Sequence, residues 1–169
     1  MGQSDGRLRR SARAVIRGLT TGERLLAVEA FDDALALDAI RFLPTPWPFD
    51  RAFVPGRWFG RDWIVWPRRT LPADIATAPL RLQAMLIHEL THVWQARRGV
   101  NLLTGKLRAG DRPASYEYPV GMDCAWEALN IEQQAMVVEH RFRLSRGQRT
   151  PADAAFYDRV CPIGRRMSA

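Results

Sequence analysis

The chain is poor in cysteine, lysine and histidine, and each shortage excludes something. Two cysteines, Cys124 and Cys161, cannot form a disulfide framework, and there is no CxxC pair to hold a metal or run thiol redox chemistry. They read as buried thiols, with a Cys124–Cys161 bridge open only to an exported protein. No apolar run approaches the roughly 20 residues that span a bilayer. Met1 to Arg17 is polar and Arg-rich and lacks the apolar core of a secretory signal. Gly6 stands where N-myristoylation needs Ser or Thr. The expected compartment is therefore the cytoplasm, with export that reads no cleavable signal left open.

Lysine is almost absent: Lys106 is the single one among 25 basic residues, against 18 acidic, for a formal charge of +7. Arginine dominance of this kind is a common mark of a GC-rich genome. Its functional alternative is affinity for anionic partners. The arginines are scattered, however, and no nucleic-acid motif accompanies them, so nucleic acid is not an expected partner. A length of 169 residues with 47% apolar composition fits one folded domain. We expect a basic arm over residues 1–18 and a single domain over 19–169.

Of only three histidines, two stand four apart in His88-Glu89-Leu90-Thr91-His92, an HExxH pattern. Drawn from the chain's own composition, it should arise by chance in roughly 0.2% of shuffles. Side chains four apart on a helix share a face, so both imidazoles can reach one Zn²⁺. Glu89 can then take a proton from a metal-bound water. Leu82, Met85, Leu86, Leu90, Val93 and Trp94 cover much of the circumference, which predicts a buried helix rather than a solvated one. A carboxylate buried between two imidazoles is costly unless something offsets it, and a metal does so.

The remaining pattern predicts an α+β domain, mostly helical. Thr20-Thr21-Gly22-Glu23 reads as a capping box opening a helix that stops near Asp33. Residues 37–43 read as a strand, with Pro44, Pro46 and Pro48 forbidding regular structure after it. Residues 51–66 read as an antiparallel hairpin turning around Pro55-Gly56 and Gly60. The motif helix should run from about Pro79 to Arg97, with Gly99 as its stop. Residues 101–121 read as a loop, and a long helix should follow over 123–144 with Asp123 as its cap. Thr150-Pro151-Ala152-Asp153 should open a short last helix with Pro at its first position.

A hydrolytic zinc site needs three protein ligands and an open position. Acceptable third ligands downstream are Asp111, Glu117, Asp123, Cys124, Glu127, Glu132, Glu139 and His140. On the predicted 123–144 helix, Glu132 shares a face with Ala125, Leu129, Ala135 and Met136, the side expected to pack on the motif helix. Glu127 lies about 140° away around that helix. Glu139 returns to the Glu132 face, as a partner of a ligand or of Arg143. His140 is the rival ligand, rotated from Glu132 by roughly 80° and better suited to a supporting contact.

Glu132-Gln133-Gln134-Ala135 after HExxH resembles the ligand helix of the gluzincin zinc metallopeptidases. That resemblance implies a small zincin-like fold with a hairpin or sheet before the HExxH helix, Glu132 as third zinc ligand, and a peptide or protein substrate. The Asp that usually closes the element and braces a zinc histidine falls at Met136 here. The layout is also similar to the short alphaproteobacterial Vgr-related proteins, over residues 19–147. The residues that carry this are Leu19-Thr20, Gly22-Glu23, the run from His88 to Ala96, Ile131 to Ala135, and His140.

The expected activity is zinc-dependent hydrolysis, of peptides in the first instance, with Glu89 as general base on a metal held by His88, His92 and Glu132. Tyr118, Tyr116 and His140 are candidates to stabilise the oxyanion, with Tyr118 ranked first. The alternative is a non-catalytic zinc module of a secretion or toxin-delivery system. Missing Asp at 136 favours the module, and Glu89 favours the enzyme.

Overall fold

A computed structural model describes residues 15–110 and 112–164. The main elements are α1 (Thr21–Phe31), β1 (Ile40–Thr45), β2 (Phe53–Trp58), β3 (Arg61–Pro67), α2 (Leu80–Arg97), α3 (Leu102–Ala109), α4 (Ile131–Ser145) and α5 (Ala154–Val160). This is an α+β arrangement of five α-helices and one three-stranded sheet among the described residues. Single 3-10 turns lie at Leu37–Ala39, Ile75–Thr77, Pro113–Ser115 and Trp126–Ala128. No helix among the described residues is long and apolar enough to cross a membrane.

The sheet has the order β1-β3-β2, with β1 parallel and β2 antiparallel to β3. The hairpin is as predicted, but it turns at Phe59-Gly60, and Pro55 and Gly56 lie within β2. The bar on regular structure from Pro44 onward is corrected, because β1 runs through Pro44 to Thr45. Phe42 exchanges both of its backbone hydrogen bonds with Arg17 on the side away from β3. By alternation Pro44 faces that same open edge, where no ladder donor is missing. Arg17, placed by composition in the basic arm, thus belongs to the sheet edge. Residues 1–14 of that arm lie outside the described residues.

The core is built where α2 meets everything else. Leu86, Ile87, Leu90 and Val93 of α2 are fully buried against Ile64 and Trp66 of β3, Phe31 of α1, and Val137 and Val138 of α4. Arg97, in the last turn of α2, clasps the buried Asp62 of β3 through Nε at 2.9 Å and Nη2 at 2.5 Å. The cysteines sit in this core as expected, both buried and not joined in a disulfide.

Two predicted helix starts move and one unpredicted helix appears, each with its own cap. The 123–144 helix begins only at Ile131. Asn130 accepts from the backbone of Glu132 and Gln133, and the Gln133 side chain reaches back to the Asn130 amide. That closed box outcompetes Asp123 as a cap. The predicted loop over 101–121 contains α3, capped by Asn101. The last helix starts at Ala154 with Asp153 as its cap, so Pro151 precedes it.

The capping box predicted at Thr20 forms as read, and its acid does more than cap. Glu23 is completely buried. It accepts from Thr20 N (2.8 Å), from Ile75 N (2.9 Å), and from the Arg17 guanidinium at 2.7 and 2.8 Å. It thereby ties α1 to the turn before α2. The seam is tight. A Cβ on Gly22 would lie 2.7 Å from Ala76 Cβ and 2.9 Å from Asp74 Oδ2. Alanine would gain at most about 1 kcal/mol of helix propensity. Overpacking against a methyl that cannot rotate away costs about 1–3 kcal/mol. Gly22→Ala is expected to lower the melting temperature by about 2–6 °C, read by circular dichroism, whereas an unstrained helix position would show a rise.

Candidate metal centre

α2 and α4 cross with their polar residues facing each other inside the core. His88, Glu89 and His92 come from α2. Glu132 sits in the first turn of α4, where a negative charge is favoured by the helix dipole. Candidate ligand atoms of His88, His92 and Glu132 all lie within 4.8 Å of one another, the one such cluster found among the described residues. Glu132 Oε2 is 3.2 Å from His88 Nε2 and 3.3 Å from His92 Nε2. The second contact lacks hydrogen-bond geometry, so His92 Nε2 is buried with no hydrogen bond. Glu89 is also buried, and its Oε2 has no partner either. Two unsatisfied polar atoms beside a carboxylate and a second imidazole form a place where a cation would be stabilised.

The far sides of both imidazoles are held. His88 Nδ1 lies 3.1 Å from Glu139 Oε2, and Arg143 donates to the other oxygen of Glu139 at 2.8 Å. His92 Nδ1 lies 2.8 Å from Gln95 Oε1. The Gln95 amide is oriented by its own donors, which go to Ile131 O (3.0 Å) and Gln134 Oε1 (2.9 Å). Gln134 in turn donates to Trp126 O. Gln95 therefore presents an acceptor to His92, which donates from Nδ1; in the neutral ring the free lone pair then lies on Nε2. Metal-binding histidines are held in the same way, by an acceptor on the far ring nitrogen.

α3 brings Lys106 to within 3.7 Å of Glu132 Oε1. Gly105 permits the approach, since a Cβ there would lie 2.8 Å from Ile131 Cδ1. Burial alone would raise the Glu132 pKa. Its contacts with His88 and His92, with Lys106 nearby, instead hold it well below the ordinary carboxylate range. Burial likewise pulls His88 down, but the Glu132 and Glu139 carboxylates and the charge of Glu89 overturn that and raise it to about 9. Glu139, despite burial, is held below its ordinary value by His88 and Arg143.

The remaining predicted site residues separate into two groups. Tyr116 lines the cleft of about 620 Å³ that opens over His88 and Glu89, its ring centre 6.5 Å from that of His88. Tyr118, ranked above it from sequence, instead bonds His140 Nδ1 at 2.6 Å and the Tyr157 hydroxyl at 2.9 Å, and stacks on Phe156. Burial first, then Tyr157, drives the Tyr118 hydroxyl pKa far up, and burial keeps that of His140 low. Sequence reasoning missed the Gln95–Gln134 relay. Its one visible signal was a Gln three residues after His92, on the same helix face.

No protein-family model matches the chain. It is 32% identical over 141 residues to the "Type VI secretion system spike protein VgrG2b" of Pseudomonas aeruginosa. That alignment covers 75% of this chain and 13% of the spike protein, so the chain spans about an eighth of its relative's length. Among solved structures it is similar to the effector domain of P. aeruginosa VgrG2b, with a TM-score of 0.65 and 26% identity over 85% of this chain and 80% of that one. The homology is thus to the effector part of a secretion-system spike, and it supports the Vgr-related resemblance.

The raised His88 pKa carries a pH signature in the metal-free protein. A group whose folded pKa exceeds its unfolded value stabilises fully below the unfolded value and ceases to as pH rises through the folded one. In chelator, the melting temperature should fall between pH 6.5 and about 9. His88→Phe should flatten that slope. A wild-type profile that stays level across the window would contradict the His88–Glu132–Glu139 pairing.

Proposed function

We propose that the chain is an effector of the type VI spike kind whose chemistry is zinc-dependent hydrolysis of peptide bonds. The observation that carries the chemical half is the buried cluster of His88, His92 and Glu132 beside the unpartnered carboxylate oxygen of Glu89. The donor set suits zinc, which His88, His92 and Glu132 would hold through two imidazole nitrogens and one carboxylate oxygen. Calcium or magnesium would call for more oxygens. The homology to the VgrG2b effector domain carries the secretion half.

Zinc bound by these three residues would supply an acidified water and a polarised substrate carbonyl. The chain's own residues do the rest. Glu89 accepts the proton of the attacking water at Oε2 and passes it to the leaving amine. Gln95 and Glu139 hold the two imidazoles in the tautomers that expose Nε2. Tyr116, on the cleft wall, is the donor we assign to the developing oxyanion, in place of Tyr118. Tyr118 and His140 brace α5 against α4 through Tyr157 and Phe156. Met136 is among the cleft-lining residues, so the bracing carboxylate comes from Glu139 instead.

The competing reading is a metal-binding module of the delivery apparatus with no catalysis of its own. It is favoured by the spike homology, which speaks for delivery and not for a reaction. Glu89 separates the two readings, because a structural site has no use for a buried carboxylate aimed past its ligands.

Metal analysis and cleavage of a peptide library distinguish them. Glu89→Gln should retain about one zinc per chain and lose about 10²- to 10⁴-fold in cleavage rate. Glu132→Ala should lose both metal and cleavage. Full zinc occupancy in Glu132→Ala would rule out Glu132 as a ligand, and a wild type that holds zinc yet cleaves nothing would favour the module. Tyr116→Phe should reduce kcat by about 10²-fold, the usual cost of one oxyanion donor. Tyr118→Phe should act mainly on melting temperature.

A further inference from the structure

Two hollows flank the cluster, and they differ in chemistry. One, of about 620 Å³, has His88 and Glu89 in its lining together with Arg69, Arg81 and Arg143. The other, of about 510 Å³, contains Glu132 and Lys106 and is walled by Phe53, Leu103 and Leu107. They share Arg51, Ala52 and Tyr116 in their linings, so they adjoin each other on either side of the cluster.

The acids in the first hollow do not balance its arginines. Glu139 is engaged by His88 and Arg143, and Glu89 stands beside the metal cluster. That leaves Asp50 against Arg51, Arg69 and Arg81, all exposed, and neither Arg69 nor Arg81 makes an ion pair among the described residues. Arg81 lies in the first turn of α2, which holds no acidic residue. A cation there opposes the helix dipole, so helix stability does not account for it. A guanidinium presents a planar fork that matches a carboxylate. In the other hollow, Leu103 and Leu107 are 72% and 76% exposed and four apart on α3, an apolar stripe that α3 buries against nothing.

We propose that these adjoining hollows select an acidic peptide, with a carboxylate side chain held by Arg69 and Arg81 on one side of the cluster and an apolar side chain against Leu103 and Leu107 on the other. The placement of the scissile bond between them rests on the hydrolase reading above. The binding preference does not.

The test uses the full chain carrying Glu89→Gln, loaded with zinc, and two fluorescent octapeptides. These share a Leu-Leu pair and differ only in having Glu-Glu or Gln-Gln three residues away. Anisotropy should show the acidic peptide binding about 10-fold tighter at low salt, with the preference shrinking as salt rises. Arg69→Ser/Arg81→Ser, both at exposed positions, should bring the two peptides level. Leu103→Ser/Leu107→Ser should weaken both alike. Equal binding of the two peptides, or a preference that survives Arg69→Ser/Arg81→Ser, overturns the proposal. Wild-type protein that binds with the acidic preference yet cleaves neither peptide would sustain the subsite and overturn the hydrolase. Cleavage of both peptides at equal rates with equal affinity would do the reverse.

Discussion

Everything in this molecule is arranged around the burial of charge between α2 and α4. Glu89, Glu132 and Glu139 are each less than a tenth exposed, and His92 is not exposed at all. Removing an ion from water costs several kcal/mol even after relaxation, and a close opposite charge repays that only in good geometry. The structure supplies the geometry from outside the crossing. Asn130 starts α4 where Glu132 falls in its first turn. Arg143 secures Glu139 from one turn further along. Gln95 fixes His92 by drawing on two backbone carbonyls, directly at Ile131 and through Gln134 at Trp126. The Arg97–Asp62 clasp and the Glu23 junction then lock both ends of α2 to the sheet and to α1. Among the described residues, the buried side-chain atoms left without a hydrogen bond are His92 Nε2 in the cluster, Glu89 Oε2 beside it, and Asp62 Oδ1 and Trp66 Nε1 away from it.

The sequence was legible where chemistry is local. Five consecutive residues carry the HExxH helix, and its bounds were read to within a residue because Pro79 and Gly99 punctuate it. The capping box at Thr20 was equally local. Glu132 was singled out by a face argument whose neighbours were only half right. Ala135 and Met136 lie on α4, but Ala125 and Leu129 precede it. The turn of α4 that contains Glu132 nonetheless brings it to His88 and His92. Residues 101–121 read as loop because Gly105, Gly110, Pro113, Pro119 and Gly121 punctuate them, and α3 forms within them under the Asn101 cap. The ranking of Tyr118 over Tyr116 could not be settled from spacing. Two residues in an irregular segment point in directions that only the packing of α5 decides.

Met136 illustrates how a motif can lose a letter and keep its physics. In the gluzincin resemblance an acid at that position braces a zinc histidine. Here the brace to His88 Nδ1 comes from Glu139, almost one turn further along α4. One turn of helix is a rise of about 5.4 Å, which a glutamate spans more readily than an aspartate because of its extra methylene. Arg143, four residues on, then becomes the natural partner for the displaced carboxylate. Position 136 then carries an apolar side chain into the lining of the cleft.

The single lysine follows the same logic. Among 25 basic residues, the one that approaches Glu132 is Lys106. A guanidinium at that place would offer two parallel donors matching both carboxylate oxygens, and a bidentate pair would tie up the lone pairs that a metal needs. An ammonium is a point charge on a flexible stem. At 3.7 Å from Oε1 it adds to the His88 and His92 contacts that hold the Glu132 pKa low, while leaving Oε2 directed at the two imidazoles. α3, whose apolar residues contribute little to the core, is held against α4 where Gly105 meets Ile131. α3 thus brings this charge to the cluster and, four apart on the same helix, the exposed Leu103 and Leu107 to the hollow beside it.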